Sequence, residues 1–276
     1  MFGYRHAFHA GNHADVIKHG VYAFVLNYLQ QKPGALEIID THAGAGLYEL
    51  DSAQAQQTQE WRQGIGTLPW PAEHWPQLLQ PLAELLTHIN PEQLLRYPGS
   101  PWVALHSLRP QDSLLLCEWQ QAERRLLQEQ CAHPGVRSVQ QDGLELLSAI
   151  HAKDRVRQLL LVDPSYELKT DYQQLPQALA KAVKRSNTAC IIIWYPVLSN
   201  RDCRPFVKAL AQASGHNAKT LHLQHLPQPG AQGMQGSGLW VVNPPWVLAE
   251  AIDQAMPWLN QCMGAGIGKW SLETSP

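Results

Sequence analysis

The chain has 276 residues, of which 45% are hydrophobic and 16% charged, and its formal net charge is −2. That composition excludes a disordered polymer and supplies a sizeable core, in one large domain or two small ones. The near-neutral balance excludes a polycationic tail but leaves room for a local basic face on a nucleic-acid enzyme.

No apolar run approaches the roughly 18 residues that would span a membrane. The opening MFGYRHAFHAGNHADVIKHG lacks the apolar core of a signal peptide. Five dispersed cysteines (117, 131, 190, 203 and 262) with no CxxC pair read as reduced thiols. A cytoplasmic location without membrane contact is the expectation.

In chain order, a helical pattern runs from Ala14 to Gln30 and an apolar strand follows at Leu36–Asp40. Similar runs occupy 113–118, 136–139, 158–163, 189–194, 220–223 and 238–242. Continuous apolar runs of this length read as strands buried on both faces. Helical patterns separate most of them, at 122–131, 143–153, 174–184 and 204–213. The alternation predicts an open α/β sheet of seven strands, with helices on both faces and the last two runs as an antiparallel edge. The interval 51–112 is too long for one crossover and is rich in Gln, Pro and Trp, with a helical stretch at 78–89. It reads as an inserted, mostly helical subdomain, leaving 1–50 and 113–276 as the main domain.

Three strand ends carry acids. Asp40-Thr41-His42-Ala43-Gly44-Ala45-Gly46 follows the first strand, and its glycines allow a sharp turn against a ligand. The third glycine of the dinucleotide fingerprint is missing, since Leu47, Tyr48 and Glu49 follow Gly46. An acid and a Gly-x-Gly loop suit the amino acid part of S-adenosylmethionine. Glu118 ends the second strand, where a carboxylate can accept from both ribose hydroxyls. Glu60 is nearer the usual spacing, but no strand leads into it. Asp142 ends the third strand and can take an adenine amine, while Gly143 permits close approach. Singly, each acid reads as well as a helix cap. Together they mark a nucleoside-binding edge.

The fourth strand closes on Asp163-Pro164-Ser165-Tyr166-Glu167. Asp163 and the Pro164 carbonyl could accept the N–H bonds of an exocyclic amine, with Tyr166 stacked on the base. Positioning of the amine is the main contribution, and Asp163 can take its proton. A rival turn, Asn243-Pro244-Pro245-Trp246, follows the last strand. By letters it is the better match to the Asn-Pro-Pro-aromatic signature of amino methyltransferases. Its position, away from the cofactor-binding strands, makes it a structural turn bordering the substrate.

The sequence resembles the RlmJ family of bacterial 23S ribosomal RNA adenine-N6 methyltransferases. The resemblance rests on Tyr4-Arg5-His6-Ala7-Phe8-His9-Ala10-Gly11-Asn12-His13-Ala14-Asp15-Val16-Ile17-Lys18-His19 and on the turn at 40–46. It extends through Tyr97-Pro98-Gly99-Ser100-Pro101, Glu118, Asp142-Gly143, Lys169-Thr170-Asp171-Tyr172, Trp194-Tyr195-Pro196 and Asn243-Pro244-Pro245-Trp246, covering essentially the whole chain. It implies a class I, Rossmann-like methyltransferase fold that uses S-adenosyl-L-methionine on an unstacked adenosine of 23S ribosomal RNA. The cofactor contacts it implies are His19, His42, Gly44, Ser100, Glu118, Asp142, Gly143 and Asp163. Asp163 is also the implied catalytic acid, with Pro164 and Tyr166 beside it. On the substrate side stand Tyr4 and, near it, Arg5, His6 and Lys18. The family's usual turn is Asp-Pro-Pro-Tyr; Ser165 replaces the second proline and removes its constraint on φ.

Other readings remain open at this point. His6, His9, His13, His19 and His42 are dense enough to suggest a metal, but their spacing fits no ligand motif, and no metal is expected. A methyltransferase-like RNA-binding protein with weakened catalysis is one alternative, and an amino methyltransferase acting on DNA or another amine is a second. Basic clusters at 153–157, 181–185 and 201–208 read as solvated helix faces or as RNA contacts. A monomer is expected.

Overall fold

A computed structural model describes residues 5–275. The chain forms α1 (His13–Gln30), β1 (Leu36–Asp40), β2 (Leu47–Glu49), α2 (Ala53–Thr58), α3 (Gln80–Ile89), β3 (Arg96–Pro98) and α4 (Ser100–His106). There follow β4 (Ser113–Cys117), α5 (Gln121–Gln130), β5 (Val136–Val139), α6 (Gly143–Ala149), β6 (Arg157–Val162), α7 (Asp171–Arg185) and β7 (Cys190–Leu198). Last come α8 (Arg204–Ser214), β8 (Thr220–Leu226), β9 (Met234–Val242), α9 (Leu248–Met263) and β10 (Lys269–Ser275).

The main sheet has the order β10-β8-β9-β7-β6-β1-β4-β5. β1 lies parallel to β4 on one side, Ile38 beside Leu114, and to β6 on the other, Ile38 beside Leu159. The chain therefore winds outward through β4 and β5, then returns to continue through β6 and β7. The reversal opens a crevice beyond the carboxyl ends of β1 and β6, where open α/β sheets bind ligands. β9 runs antiparallel between β7 and β8. The sheet has eight strands instead of the expected seven, because β10 adds to β8 as an antiparallel edge. Trp270 and Leu272 of β10 are half-buried while their neighbours are exposed, so this strand has alternation instead of a continuous apolar run.

Successive strand residues separate to two faces. Leu36, Ile38, Leu159, Leu161 and Ile192 join one apolar cluster, and Ile39, Leu160, Val162, Ile191 and Ile193 the other. α1, α9 and the stretch after β2 cover the first face; α6, α7 and α8 cover the second. α1 is buried along most of 14–26, which explains its nearly all-round apolar sequence. Asn12 caps it, with Oδ1 accepting from the Ala14 and Asp15 N–H groups at 3.0 Å.

Between β2 and β3, which pair antiparallel, the chain makes α2, several 3-10 turns and α3. Leu78, Leu79, Leu82, Leu85 and Leu86 from this stretch share the α1 cluster. Gly20 of α1 admits it closely: a Cβ there would lie 2.3 Å from Leu79 Cδ2. α4 then crosses back to the sheet.

The rival turn sits at the far edge. β9 places Val242 beside Ile191 and Met234 beside Leu198, so Asn243 emerges at the amino ends of the parallel strands, not beside the substrate crevice. Asn243 has φ 52°, and its Nδ2 donates to the carbonyls of Asn187 and Ala189 at 2.9 Å. It is a structural clasp. Asn243→Ala should lower stability by about 1–3 kcal/mol, from two lost hydrogen bonds and left-handed backbone strain, with cofactor affinity unchanged. Urea unfolding and calorimetry check both parts.

Burial pushes His13 and His225 down to about 4, and for His225 the nearness of His13 adds to the effect. In the unfolded chain both titrate near 6.5. Below that pH the unfolded chain binds more protons, so their contribution is full above about 6.5 and is lost as pH falls towards 4. Urea midpoints should drop between pH 7.5 and pH 4.5, and the drop should shrink in His225→Gln.

Candidate active site

A cleft of about 1210 Å³, including its open mouth, occupies the crevice at the carboxyl ends of β1, β4, β5 and β6. His19, His42, Gly44, Ser100, Glu118, Asp142, Gly143 and Asp163 all line it. They come from α1, the β1 turn, the start of α4 and the ends of β4, β5 and β6. Six segments thus bring eight residues from across the sequence to one cavity.

The turn after β1 is held by main-chain hydrogen bonds and by glycine. Gly44 has φ +65°, and a Cβ there would stand 2.5 Å from the Tyr48 hydroxyl. The Gly44 N–H donates to Glu118 Oε2 at 2.8 Å, and the Gln120 N–H to Oε1 at 2.7 Å. These bonds aim the Glu118 carboxylate into the cleft. Burial raises its pKa from the ordinary value, against the pull of those N–H donors. Asp142 serves as both cap and cavity wall: Oδ1 accepts from the Leu144 and Glu145 N–H groups at 2.8 and 2.9 Å. At Gly143 a Cβ would meet the Thr41 carbonyl at 2.2 Å and His42 Nε2 at 2.7 Å, so only glycine lets the two turns touch.

His19 and His42 are neutral in the cleft. Burial pushes His42 down to about 4 and His19 to about 3. The Thr41 hydroxyl donates to the Leu161 carbonyl at 3.1 Å, so it accepts from His42 Nδ1–H at 2.8 Å. His42 Nε2 is then an acceptor. His19 Nδ1 lies 3.1 Å from the Tyr97 hydroxyl, with the two rings stacked. Beneath the turn, Asp40 is fully buried; Oδ1 accepts from the His42 N–H at 3.1 Å, and burial pushes the carboxyl up to about 7.

A buried ion network reaches the β6 turn. Lys18 Nζ lies 2.8 Å from Asp15 Oδ1 and 2.5 Å from Asp163 Oδ2. Asp15 Oδ2 accepts from the Gly11 N–H at 3.0 Å and lies 2.9 Å from His6 Nε2. Burial works against the charge on Lys18, but Asp15 and Asp163 outweigh it and raise the pKa above the ordinary value. Burial likewise opposes the charge on Asp15, and His6 and Lys18 hold its pKa well below the usual range. Asp15 was not among the sequence candidates. Its only signal was an acid three residues before Lys18 in an otherwise apolar helix.

Of the candidates for the catalytic turn, Asp163 and Pro164 line the cleft, as does Ser165. Tyr166 does not. Its ring is buried against Tyr172, Trp194 and Phe206, and its hydroxyl donates to the Trp194 carbonyl at 2.6 Å. With φ 55° its backbone is left-handed, which turns the side chain into the core. The sequence expectation of a ring stacked on the base is therefore not met in this conformation. Leu168 and Asp171, unforeseen, line the cleft beyond it.

On the substrate side, His6 and Lys18 line the cleft, whereas Arg5 is exposed and outside its lining. Tyr4 lies outside the described residues. Glu60 accepts from Asn12 Nδ2 at 3.0 Å and lies 2.9 Å from His9 Nδ1, away from the cleft. Among the described residues, no three His, Cys, Asp or Glu side chains gather as a metal site would require, and no helix is long and apolar enough to cross a membrane.

The donors and acceptors of this cleft fit S-adenosyl-L-methionine. Glu118 offers a carboxylate for ribose hydroxyls, and Gly44 and Gly143 line the cleft at turns packed too closely to admit a side chain. Neutral imidazoles accommodate an uncharged base better than a phosphate. Comparison with known proteins agrees. The family described as Ribosomal RNA large subunit methyltransferase D, RlmJ, matches residues 33–275. Ribosomal RNA large subunit methyltransferase J of Escherichia coli K12 is 37% identical over 271 residues, covering 97% of this chain and 96% of its own. The protein of that name from Haemophilus influenzae is 34% identical over 277 residues, covering 99% and 98%. A crystal structure of protein LPL1258 from Legionella pneumophila superposes with a TM-score of 0.88 at 31% identity, covering 97% of this chain and 98% of that one. The strand order, the cleft and these likenesses agree, and the chain belongs to the RlmJ family of ribosomal RNA large subunit methyltransferases.

Proposed function

We propose that this chain transfers a methyl group from S-adenosyl-L-methionine to the N6 amine of an adenosine in 23S ribosomal RNA. One observation supports this above all: Asp163 stands in the same cleft as Glu118, His42 and Gly143, with its carboxylate fixed by Lys18. The family membership favours ribosomal RNA over DNA or a small amine, and the intact Asp163-Pro164 pair favours an enzyme over a silent binder.

The cofactor supplies an electrophilic methyl on a sulfonium. Glu118 would accept from its ribose hydroxyls, Asp142 and Gly143 would hold the adenine end, and His19, His42, Gly44 and Ser100 would enclose the remainder. An adenosine must leave its stack to enter the cleft, and unpairing costs least in single-stranded or loosened RNA. Asp163 Oδ2 is occupied by Lys18 Nζ, so Oδ1 and the Pro164 carbonyl receive the N–H bonds of the target amine. Holding both hydrogens turns the nitrogen lone pair towards the incoming methyl. Asp163 then accepts the proton that the methylated amine loses. Lys18 keeps that carboxylate in one rotamer, and His6 and Asp15 hold Lys18 in turn. The chain acts as a cytoplasmic monomer, with 51–112 as its inserted subdomain and Tyr4 and Arg5 at the substrate side.

Glu118→Ala should weaken cofactor binding roughly tenfold to over a hundredfold, through loss of charged hydrogen bonds of about 1.5–3 kcal/mol. Calorimetry with S-adenosyl-L-methionine reads this directly, and an unchanged affinity would remove Glu118 from the site. Asp163→Ala should reduce single-turnover methyl transfer to 23S ribosomal RNA by about 10²–10⁴-fold or more, with cofactor affinity changed far less. Mass mapping of the methylated nucleotide checks that the product is N6-methyladenosine. Retained transfer in a folded Asp163→Ala protein would reject Asp163 as the proton acceptor.

A further inference from the structure

The edge of the sheet opposite the cleft carries a feature that the chemistry does not use. There the loop before β6 and the last turn of α7 are joined. The Ala152 N–H donates to the Arg185 carbonyl at 3.0 Å, and Arg185 Nη1 donates to the Ser148 carbonyl at 2.6 Å. The turn after α7 is joined to the next segments by Asn243. Its Nδ2 donates to the Asn187 and Ala189 carbonyls, and its N–H donates to the Lys219 carbonyl at 2.8 Å. Four stretches distant in sequence thus form one continuous surface.

That surface is strongly basic in a chain of net charge −2. Residues 151–157, 181–189, 216–220 and 243–246 hold seven Lys and Arg and a single acid, Asp154; of the seven, Lys153 is paired with Glu37 of β1. Arg155, Lys181, Lys184, Arg185 and Lys219 are all exposed. The Arg155 side chain is 92% exposed, and its ion pair with Asp154 is long, at 3.6 Å. At the end of the same surface stands Trp246, 79% exposed and the most exposed of the large hydrophobic side chains described. The α7 dipole accounts for cations in the last turn of that helix. It does not account for Arg155, Lys219 or an indole left in water.

We propose that this edge is a second RNA-contact surface, which binds the phosphate backbone of the substrate at a distance from the methylated base. Trp246 stacks on an unpaired base there. The inference rests on the reading that ribosomal RNA is the substrate. Cations on a surface bind phosphates by releasing counterions, and an exposed aromatic gives a stacking platform indifferent to sequence. The six residues of β6 separate this edge from the cleft by about 20 Å, at roughly 3.3 Å per strand residue. An RNA that only fills the cleft cannot reach it, whereas a folded ribosomal RNA can engage both. Contact at the far edge raises the local concentration of the target at the cleft.

The test compares full-length 23S ribosomal RNA with its shortest fragment that still accepts a methyl group. The variants are the full chain carrying Arg155→Glu, Lys184→Glu and Arg185→Glu together, and the chain carrying Trp246→Ala. With the long RNA, the triple variant should raise KM at least tenfold and lower the log–log salt slope of binding by about 2–3. Trp246→Ala should raise KM roughly fivefold to a hundredfold. Turnover number, cofactor affinity and activity on the short fragment should stay unchanged. An unchanged KM and salt slope on long RNA would overturn the proposal, and so would an equal loss on both RNAs. Gel-shift affinity for 23S ribosomal RNA carries the same expectation and needs no turnover. Absence of transfer in the parent chain would therefore count against the enzymatic reading, while binding would still decide this one.

Discussion

One ammonium group, Lys18 Nζ, lies almost out of contact with water between two carboxylates, and the arrangement of the site depends on it. Lys18 and Asp163 are 145 residues apart, so this contact binds the helix before the sheet to the turn after β6. A buried charge deprived of a partner costs several kcal/mol, which leaves α1 only one acceptable seating. The Asn12 cap and the Gly11 N–H bond to Asp15 belong to the same arrangement, since they fix where the helix begins and where Asp15 points. The opening segment of the chain is thereby tied to the chemistry, although it contributes no strand to the sheet.

The sheet was legible because its central strands are buried on both faces, and double burial produces unbroken apolar runs such as Leu159–Val162 and Cys190–Ile193. β10 was not, because an edge strand with one wet face shows only alternation over Lys269–Ser275. The cleft residues at strand ends were legible for a similar reason. Acids directly after apolar runs, as at Asp40, Glu118 and Asp163, are uncommon enough to mark the edge where the cleft lies. Asp15 could not be read in that way, because its role runs through Lys18 to Asp163, 145 positions beyond that lysine. Nor could the direction of Tyr166, which follows from a left-handed φ and a carbonyl partner on β7. Local sequence specifies which groups stand at a strand end. It does not specify which way a turn throws them.

The two ends of the parallel strands have different duties. At the carboxyl ends, turns carry polar groups into the cleft and glycines keep them close. At the amino ends, side chains such as Asn243 and Arg109 fasten loops through main-chain carbonyls; Arg109 Nη1 donates to Gln30 O at 2.7 Å and to Lys32 O at 2.8 Å. The same short pattern of letters, an amide or acid followed by proline and an aromatic, occurs at both ends. Only the direction of the strand that delivers it separates a turn that lines the cleft from a clasp.

Gly143 shows what close packing of two turns does for recognition. With no side chain between them, the Thr41 carbonyl and the His42 ring bear directly on the start of α6. The turn after β1 and the start of α6, which both line the cleft, are then in van der Waals contact. Neither can shift by a few tenths of an ångström without the other. The ordering of this wall is settled when the protein folds, so little conformational entropy remains to be lost when a nucleoside arrives. A cradle of this kind discriminates by shape: it holds the distance between the two ends of its ligand as a fixed gauge, and rejects any molecule whose ends are set closer together or further apart.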